Sequence, residues 1–531
     1  MIQLSRESVV TVAASMLFAL FTQAPGLALA QSINHDNDDR GIQNGQPATP
    51  DDQFGDRFGG YAGGVAAPAE PQIPAGVDVF NLTLEQTKAF SLSKNFEIVG
   101  HSYFKGPWLT AFAQQHGLGA GFNTPRVYDG IAYLAGYNSP PLLFGVLIAD
   151  VSNPKDMKPL SFIPCNPGTR CPYIRVNTAR KILVGTHDTN SANPNTASGP
   201  VQAGVGFYDV SDPKNPKKLG FYKSLDNGAT HGMEIDDRFA YICANTSASK
   251  PGSLNHEVVI VDYTDPTNPQ LAGAVHIPGQ HVGETTPPQN QLNPDGTPQQ
   301  IWCHEITLDK DRLYVAWRDA GMVIVDVTDP THPAIISQLD YVPPFNGGSL
   351  GAAHSALPIV TDPAKYPTLL VDTDEIFGCP PGFGRVMDIS DLSNPQIISS
   401  YRIPSIDDSY DFVNGKFVCP LGSQTSHLPQ IDIRSASLLY NAWYTQGLRA
   451  FDLSNPFLPR EIGYYISPPY ICGPYTTSCG GGPAPVYRHT REEWQDRSTG
   501  LLYVTDGSGG GLTVLRWTGP IPPNPPVPGA R

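Results

Sequence analysis

The sequence predicts an all-β fold assembled from one repeated unit, and three observations carry that prediction. The first is a recurring phrase: an apolar, β-branched run, then an Asp, then a turn built around Asn-Pro or Asp-Pro. It reads VLIADVSNP (Asp150), VGFYDVSDPKNP (Asp209), VVIVDYTDPTNP (Asp262), MVIVDVTDPTHP (Asp326), RVMDISDLSNP (Asp388) and LRAFDLSNP (Asp452), with the Asp positions 53 to 64 residues apart. Self-similarity at a long period means one supersecondary unit used many times. The second is composition: 52 Gly and 53 Pro in 531 residues with 16% charged residues suit many short strands joined by turns. The third is the state of the chain ends. The last repeat, RHTREEW to GLLYVTDGSGGGLTVLRW, has three strands and lacks its turn and fourth strand. The segment NFEIVGHSYF, ahead of the first repeat, reads as a fourth strand without its first three. Joining them gives a seven-bladed β-propeller whose N- and C-terminal strands close one blade, which removes exposed sheet edges.

Taken in order, residues 1–30 read as a secretory signal peptide. Arg6 supplies a modest positive start, Val9 to Phe21 is the apolar segment, and Ala28-Leu29-Ala30 is a small-x-small cleavage site. No later apolar run is long enough to span a bilayer. Residues 31–75, rich in Gly, Pro, Asp, Asn and Ala, are expected to be a disordered leader. Residues 80–517 form the propeller, and 518–531 are a Pro-rich tail. The export signal places the chain in the periplasm, at the cell surface or outside the cell, where disulfides form. Of the eight Cys, Cys165/Cys171 and Cys472/Cys479 bracket short loops and are expected to pair. Cys243/Cys303 and Cys379/Cys419 are longer pairings that spacing leaves open. The net charge of −15 disfavours nucleic acid, which is bound by neutralising phosphates.

Repeat three shows the unit clearly, as HGMEIDD, RFAYICAN, HEVVIVDYTDPTNP and PQLAGAVHI: four strands, one blade. The motif Asp and the following Ser or Thr are suited to hydrogen-bonding local backbone, so they read as structural. The phrases VVIVDYTDP and MVIVDVTDP resemble the LVIVD repeat of bacterial and archaeal exported proteins. The resemblance covers roughly residues 125–465. It implies a propeller and supplies no reaction.

The starts of the innermost strands of a propeller converge on its central channel. Aligning the repeats puts Asn123, Tyr173, His231, His304, His354, His427 and His489 at that address, so five consecutive blades offer a His out of thirteen in the chain. The ends of the second strands return to the same face and add His187 and Asp188, Arg318 and Asp319, Asp374 and Glu375, Trp443 and Tyr444, and Asp506. The longest inserts precede the His positions, as expected of loops that shape a site. Imidazole is the commonest biological metal ligand, and several convergent neutral His suit Zn, Cu, Mn or Fe. The expected site therefore has His231, His304, His354, His427 and His489 as metal ligands, and these five together with Arg318 as catalytic groups. His187, Asp319, Glu375, Tyr444, Trp443, Tyr173 and Asn123 are expected to bind substrate. Glu305, next to His304, should point to the opposite side of its strand. The plainer alternative is that each His only ties its blade to the next.

Two functions fit this reading. One is a metal-dependent lyase, hydrolase or oxidase acting on a polar organic substrate. The other is a non-catalytic binding module for a glycan or a protein. No named metal motif or nucleophile elbow is present, and GSGGG at 507–511 lacks the following helix of a phosphate loop.

Overall fold

In the computed structural model, residues 73–525 are described apart from residue 75 and short internal stretches, the longest being 285–300, 341–352 and 470–488. The signal and most of the leader fall outside the described residues, as do Cys379, Cys419, Cys472 and Cys479.

Seven antiparallel sheets form a seven-bladed β-propeller. Blade 1 runs Phe122–Tyr128, Ile131–Gly136, Gly145–Asp150 and Lys158–Pro164, and blade 2 runs Ile174–Asn177, Ile182–His187, Gly204–Asp209 and Lys217–Lys223. Blade 3 runs Met233–Ile235, Phe239–Ala244, Glu257–Asp262 and Gln270–Val275, and blade 4 runs Glu305–Asp309, Arg312–Ala316, Met322–Asp326 and Ala334–Leu339. Blade 5 holds Ala353–Ile359, Leu369–Asp374, Gly384–Asp388 and Gln396–Tyr401, and blade 6 holds Pro429–Ile431, Leu438–Ala442, Leu448–Asp452 and Arg460–Ile466. Blade 7 takes Thr490–Gln495, Leu502–Asp506 and Leu512–Trp517 from the C-terminal end and Phe96–Ser102 from the N-terminal end. That closing strand pairs antiparallel with the last one, from Phe96 opposite Trp517 to Ser102 opposite Leu512. The sequence does not foretell one further pairing. Leu92–Lys94 adds a fifth strand to the outside of blade 6, opposite Tyr464–Ile466. The N-terminal segment thus crosses from one blade to the next as it closes the ring.

The core lies between blades. Each cluster of buried side chains is shared by two neighbours. Tyr503, Leu512 and Val514 of blade 7 meet Ala132, Leu134 and Leu147 of blade 1, for example. Leu438 and Tyr440 of blade 6 meet Leu502 and Leu515 of blade 7. Such clusters bridge every successive blade pair round the ring. Both faces of a blade are therefore covered, which explains the continuous apolar runs ahead of the motif Asp residues.

The motif turns behave as structural elements. Asp150, Asp209, Asp262, Asp326, Asp388 and Asp452 each accept a hydrogen bond from the backbone N–H two residues on, at 2.8–3.0 Å. The turn then packs on the outermost strand of the preceding blade, where a small residue stands in each case. Ser161, Ser337 and Ser399 donate to the carbonyls of Pro213, Leu392 and Pro456, each at 2.6 Å. At Gly100, Gly220 and Gly273 an added Cβ would collide with the carbonyls of Pro154, Pro266 and Pro330. The repeat therefore encodes a blade-to-blade contact as well as a turn.

Disulfides join Cys165 to Cys171 and Cys243 to Cys303. The second ties blade 3 to the segment entering blade 4. Among the described residues no helix is long and apolar enough to cross a membrane.

Candidate metal centre at the channel mouth

Strand alternation explains how the site is built. In each blade the residue just ahead of, or opening, the innermost strand turns into the channel. A residue one or two places past the second strand returns beside it. The first set brings together His231, His304, His354 and His427, whose rings follow one another with centroid separations of 4.5, 4.1 and 4.2 Å. Tyr444 continues the arc, 5.0 Å from His427 and 4.7 Å from His489. Tyr173 meets His231 at 5.0 Å.

The second set supplies the charges. Glu375 sits at the centre of the arc. Its Oε2 accepts from Arg318 at 2.7 Å, and its other oxygen accepts from the Tyr444 hydroxyl. His354 Nε2 lies 3.7 Å and His427 Nε2 3.9 Å from the same carboxylate. Arg318 and Tyr444 occupy equivalent repeat positions, and both adopt left-handed backbone angles, φ 46° and 31°. Such strain in non-glycine residues tends to collect where a site imposes it. At the far end, Asp188 accepts from Arg170 and lies 3.0 Å from His231 Nδ1. His231 Nε2 is 3.1 Å from His304 Nε2. Two nitrogens sharing a tetrahedral ion at 2.0–2.1 Å would stand about 3.4 Å apart.

Electrostatics favour the neutral imidazole. Burial pushes His304, His354, His427 and His489 well below the ordinary histidine range, and it lowers His231 against the opposing pull of Asp188. Burial alone would raise Glu375, but Arg318, His427, Arg491 and Tyr444 outweigh it and hold the carboxyl near 2. The centre therefore combines neutral nitrogen donors with an ionised carboxylate. His304, His354 and Glu375 offer ligand atoms that all lie within 4.8 Å of one another, a group that can hold a metal ion. Several nitrogens of these residues are buried and lack a hydrogen-bond partner among the described residues: His304 Nδ1, His354 Nε2, His427 Nε2, and Arg318 Nε and Nη1. A buried polar atom without a partner costs about 1–3 kcal/mol. The cluster is costly as packing and has donors to spare.

The remaining expected residues divide. Asn123 joins the ring from the open side of the arc, where Arg491 Nε donates to its Oδ1 at 2.8 Å while Arg491 Nη1 donates to Tyr444. His489 stands beyond Tyr444, against Tyr137. Asp319 is buried in the turn following Arg318. His187 and Trp443 are not in the ring. His187 Nε2 lies 3.0 Å from the Tyr208 hydroxyl, with its ring against Phe221, inside blade 2. Trp443 packs with Tyr401 and Phe451 in the core between blades 5 and 6. Both are one residue short of the turn into the channel, and their successors Asp188 and Tyr444 make it. Glu305 points away from the His arc, as expected. It faces Tyr173 and Arg175 lower in the channel, and burial pushes it up to about 8.

Sequence reasoning missed Arg491, Trp302 and Tyr137. Arg491 and Trp302 stand two residues from His489 and His304, so on the same side of their chains as those His. Trp302 carries the Arg318 guanidinium over its ring at 4.6 Å. Tyr137 occupies the same repeat position as Arg318 and Tyr444, a signal that repeat alignment contains.

No curated protein matches the chain in sequence. Among solved structures it is similar to the computationally designed Ika8 protein, at 8% identity over 75% of this chain and 96% of that one, with a TM-score of 0.40. A hypothetical selenium-binding protein from Sulfolobus tokodaii matches at 12% identity, over 52% of this chain and 64% of that one, TM-score 0.37. A protein from Lactobacillus plantarum matches at 9% identity, over 64% and 86%, TM-score 0.40. The LVIVD repeat family model matches residues 305–340, which are blade 4, and 385–403, the outer half of blade 5. The chain is therefore a β-propeller that carries LVIVD repeats.

Proposed function

We propose that the channel mouth holds a divalent transition metal, Zn, Cu, Mn or Fe, and uses it on a small polar substrate that carries negative charge. The observation that supports this most is the convergence of three buried, neutral imidazoles with unpartnered nitrogens on one ionised carboxylate. His304, His354 and Glu375 would hold the ion, with His231 and His427 on either side. Such an ion, when bound, would polarise a substrate oxygen or activate water. Arg318 has two guanidinium nitrogens left after its bond to Glu375, and these suit a carboxylate or similar anion. Tyr444 and Arg491 would orient that substrate from the other side. Secretion through the signal at residues 1–30 belongs to the same reading, and the two disulfides are in keeping with an oxidising compartment.

Elemental analysis of tag-free protein tests the proposal. The native chain is expected to hold one equivalent of transition metal that His354→Ala and Glu375→Gln remove and that His332→Ala keeps. His332 is an exposed residue of a motif turn, 3.0 Å from Asp329, and serves as the control. If the purified chain takes up no metal in this arc yet binds a glycan or a protein, it is a binding module, and the catalytic reading falls.

A further inference from the structure

A second cluster of metal-ligating groups stands on the mouth face of blade 3, apart from the arc. His256 and Glu257 are consecutive and turn to opposite sides. His256 faces the arc, with its ring 6.3 Å from that of His231. Glu257, which opens the third strand of the blade, faces the outer rim. Its carboxylate is fully buried, and its Oε1 accepts three hydrogen bonds: from Thr246 N at 3.0 Å, Thr246 Oγ1 at 2.6 Å and Ser249 Oγ at 2.6 Å. These fix the carboxylate and present Oε2 to His281 Nε2 at 2.8 Å.

His276 follows directly on the outermost strand, and the turn 276–284 brings His281 back beside it. The two rings stack with centroids 3.4 Å apart and 16° between planes. Glu284 secures the turn, accepting from Gly279 N at 2.8 Å and His281 N at 3.1 Å and lying 3.0 Å from His276 Nε2. His281 is bridged across to Ser249. Both imidazoles remain about a quarter exposed, at 25% and 22%, so an ion can reach them. The ligand atoms of Glu257, His276 and His281 all lie within 4.8 Å of one another.

We propose that Glu257, His276 and His281 form a second metal site, independent of the arc and suited to a zinc-type ion. Two imidazoles and one carboxylate are a recurrent zinc donor set that leaves one position for water. Every donor is positioned by something else: Glu257 by Thr246 and Ser249, His276 by Glu284, His281 by the bridge to Ser249. Outer groups of this kind orient the ligands of metal sites. Ion binding would pin the turn 276–284 to the rim of blade 3 and leave the arc unaltered.

The test uses the full mature chain and zinc chloride as the probe. Isothermal titration of metal-stripped protein should show a zinc equivalent that His281→Ala and the double variant His276→Ala/His281→Ala remove, while His354→Ala and His332→Ala retain it. A zinc-dependent rise in melting temperature should shrink in the same variants, each read against its own metal-free melting, because His281 also partners the buried Glu257 carboxylate. If the double variant binds as many zinc equivalents as the native chain, with the same thermal shift, the cluster is only a hydrogen-bonded turn and the proposal is overturned. Loss of zinc from the arc variants alone would likewise place all the metal at the channel mouth.

Discussion

The turn face and the mouth face of this propeller are made by opposite ends of the same strands, yet they treat polar groups in opposite ways. On the turn face each motif Asp is half-buried and caps its own turn, satisfied by a neighbour two residues away. On the mouth face the repeated His residues are buried; His231, His304 and His427 take partners from other blades, and His354 bonds Ser355 beside it. Several nitrogens have no partner among the described residues. The same kind of observation, one residue type recurring at one repeat address, thus means two things. Where the group is satisfied locally, the repeat is scaffold. Where it converges with its copies and stays unsatisfied, the repeat has been used to assemble a site.

The largest test of the scaffold half is closure. Removing residues up to Ser102 takes away the strand that completes blade 7, along with buried Phe96, Ile98 and Val99. At about 1.5–3 kcal/mol for each such side chain, the loss should be on the order of 5 kcal/mol. A urea midpoint unchanged by this deletion would disprove the closed ring.

Acid should next distinguish the two faces. The arc imidazoles are held below 6.5 in the folded chain, so between that value and their lowered one the unfolded chain binds protons that the folded chain does not. Their contribution is therefore intact above pH 6.5 and is lost as pH falls below it. The slope is about 1.4 kcal/mol per pH unit for each such group. Glu305 runs the other way: raised to about 8, it favours folding less as pH climbs from 4.5 toward 8. Melting curves at pH 7 and pH 5 should show a shallower acid loss in His427→Gln than in the native chain. Equal slopes would mean that the arc is not the acid-sensitive element.

A smaller effect probes the contact between motif turn and outer strand. Gly273→Ala forces a Cβ into the Pro330 carbonyl and should cost about 1–3 kcal/mol. Gly185→Ala, where the nearest atom is 3.6 Å away, should cost less, as chemical denaturation of both will show. The smallest expected change is in a single turn. Asp388→Ala removes a 2.9 Å bond from Ser390 N, and stability should fall by about 0.5–1.5 kcal/mol with metal content unchanged. Any loss of metal there would erase the distinction between the faces.

Much of the site was legible because a repeat gives every residue an address. His231, His304, His354 and His427 share one, and the structure gathers them; Glu375 and Tyr444 share another, and they meet. His187 and Trp443 were misplaced by a single position. From sequence alone, the end of a strand is uncertain by a residue, and one residue exchanges the channel for the core between blades. Arg491 and Trp302 lie two residues from the aligned positions; Trp does not recur there in the other blades, and Arg recurs once, as Arg175 after Tyr173. Only the meeting of blades shows what they touch: Arg491 reaches Asn123 of blade 1 and Tyr444 of blade 6, and Trp302 stands against His231 and Arg318. The rim cluster on blade 3 was hidden for a related reason: Glu257 is separated from His276 by a whole strand and turn, and nothing local announces that they meet.

What the sequence determined by itself was therefore the periodic part: strand order within a blade, the Asp-capped turns, the number of blades and their closure by the chain ends. These depend on contacts within a unit, or between one unit and an equivalent copy, so the repeat records them. The tertiary structure alone decided how far each group is buried, and hence that the arc imidazoles are neutral while Glu375 stays ionised. Burial and charge pairing are sums over several blades at once, and no single repeat contains that sum.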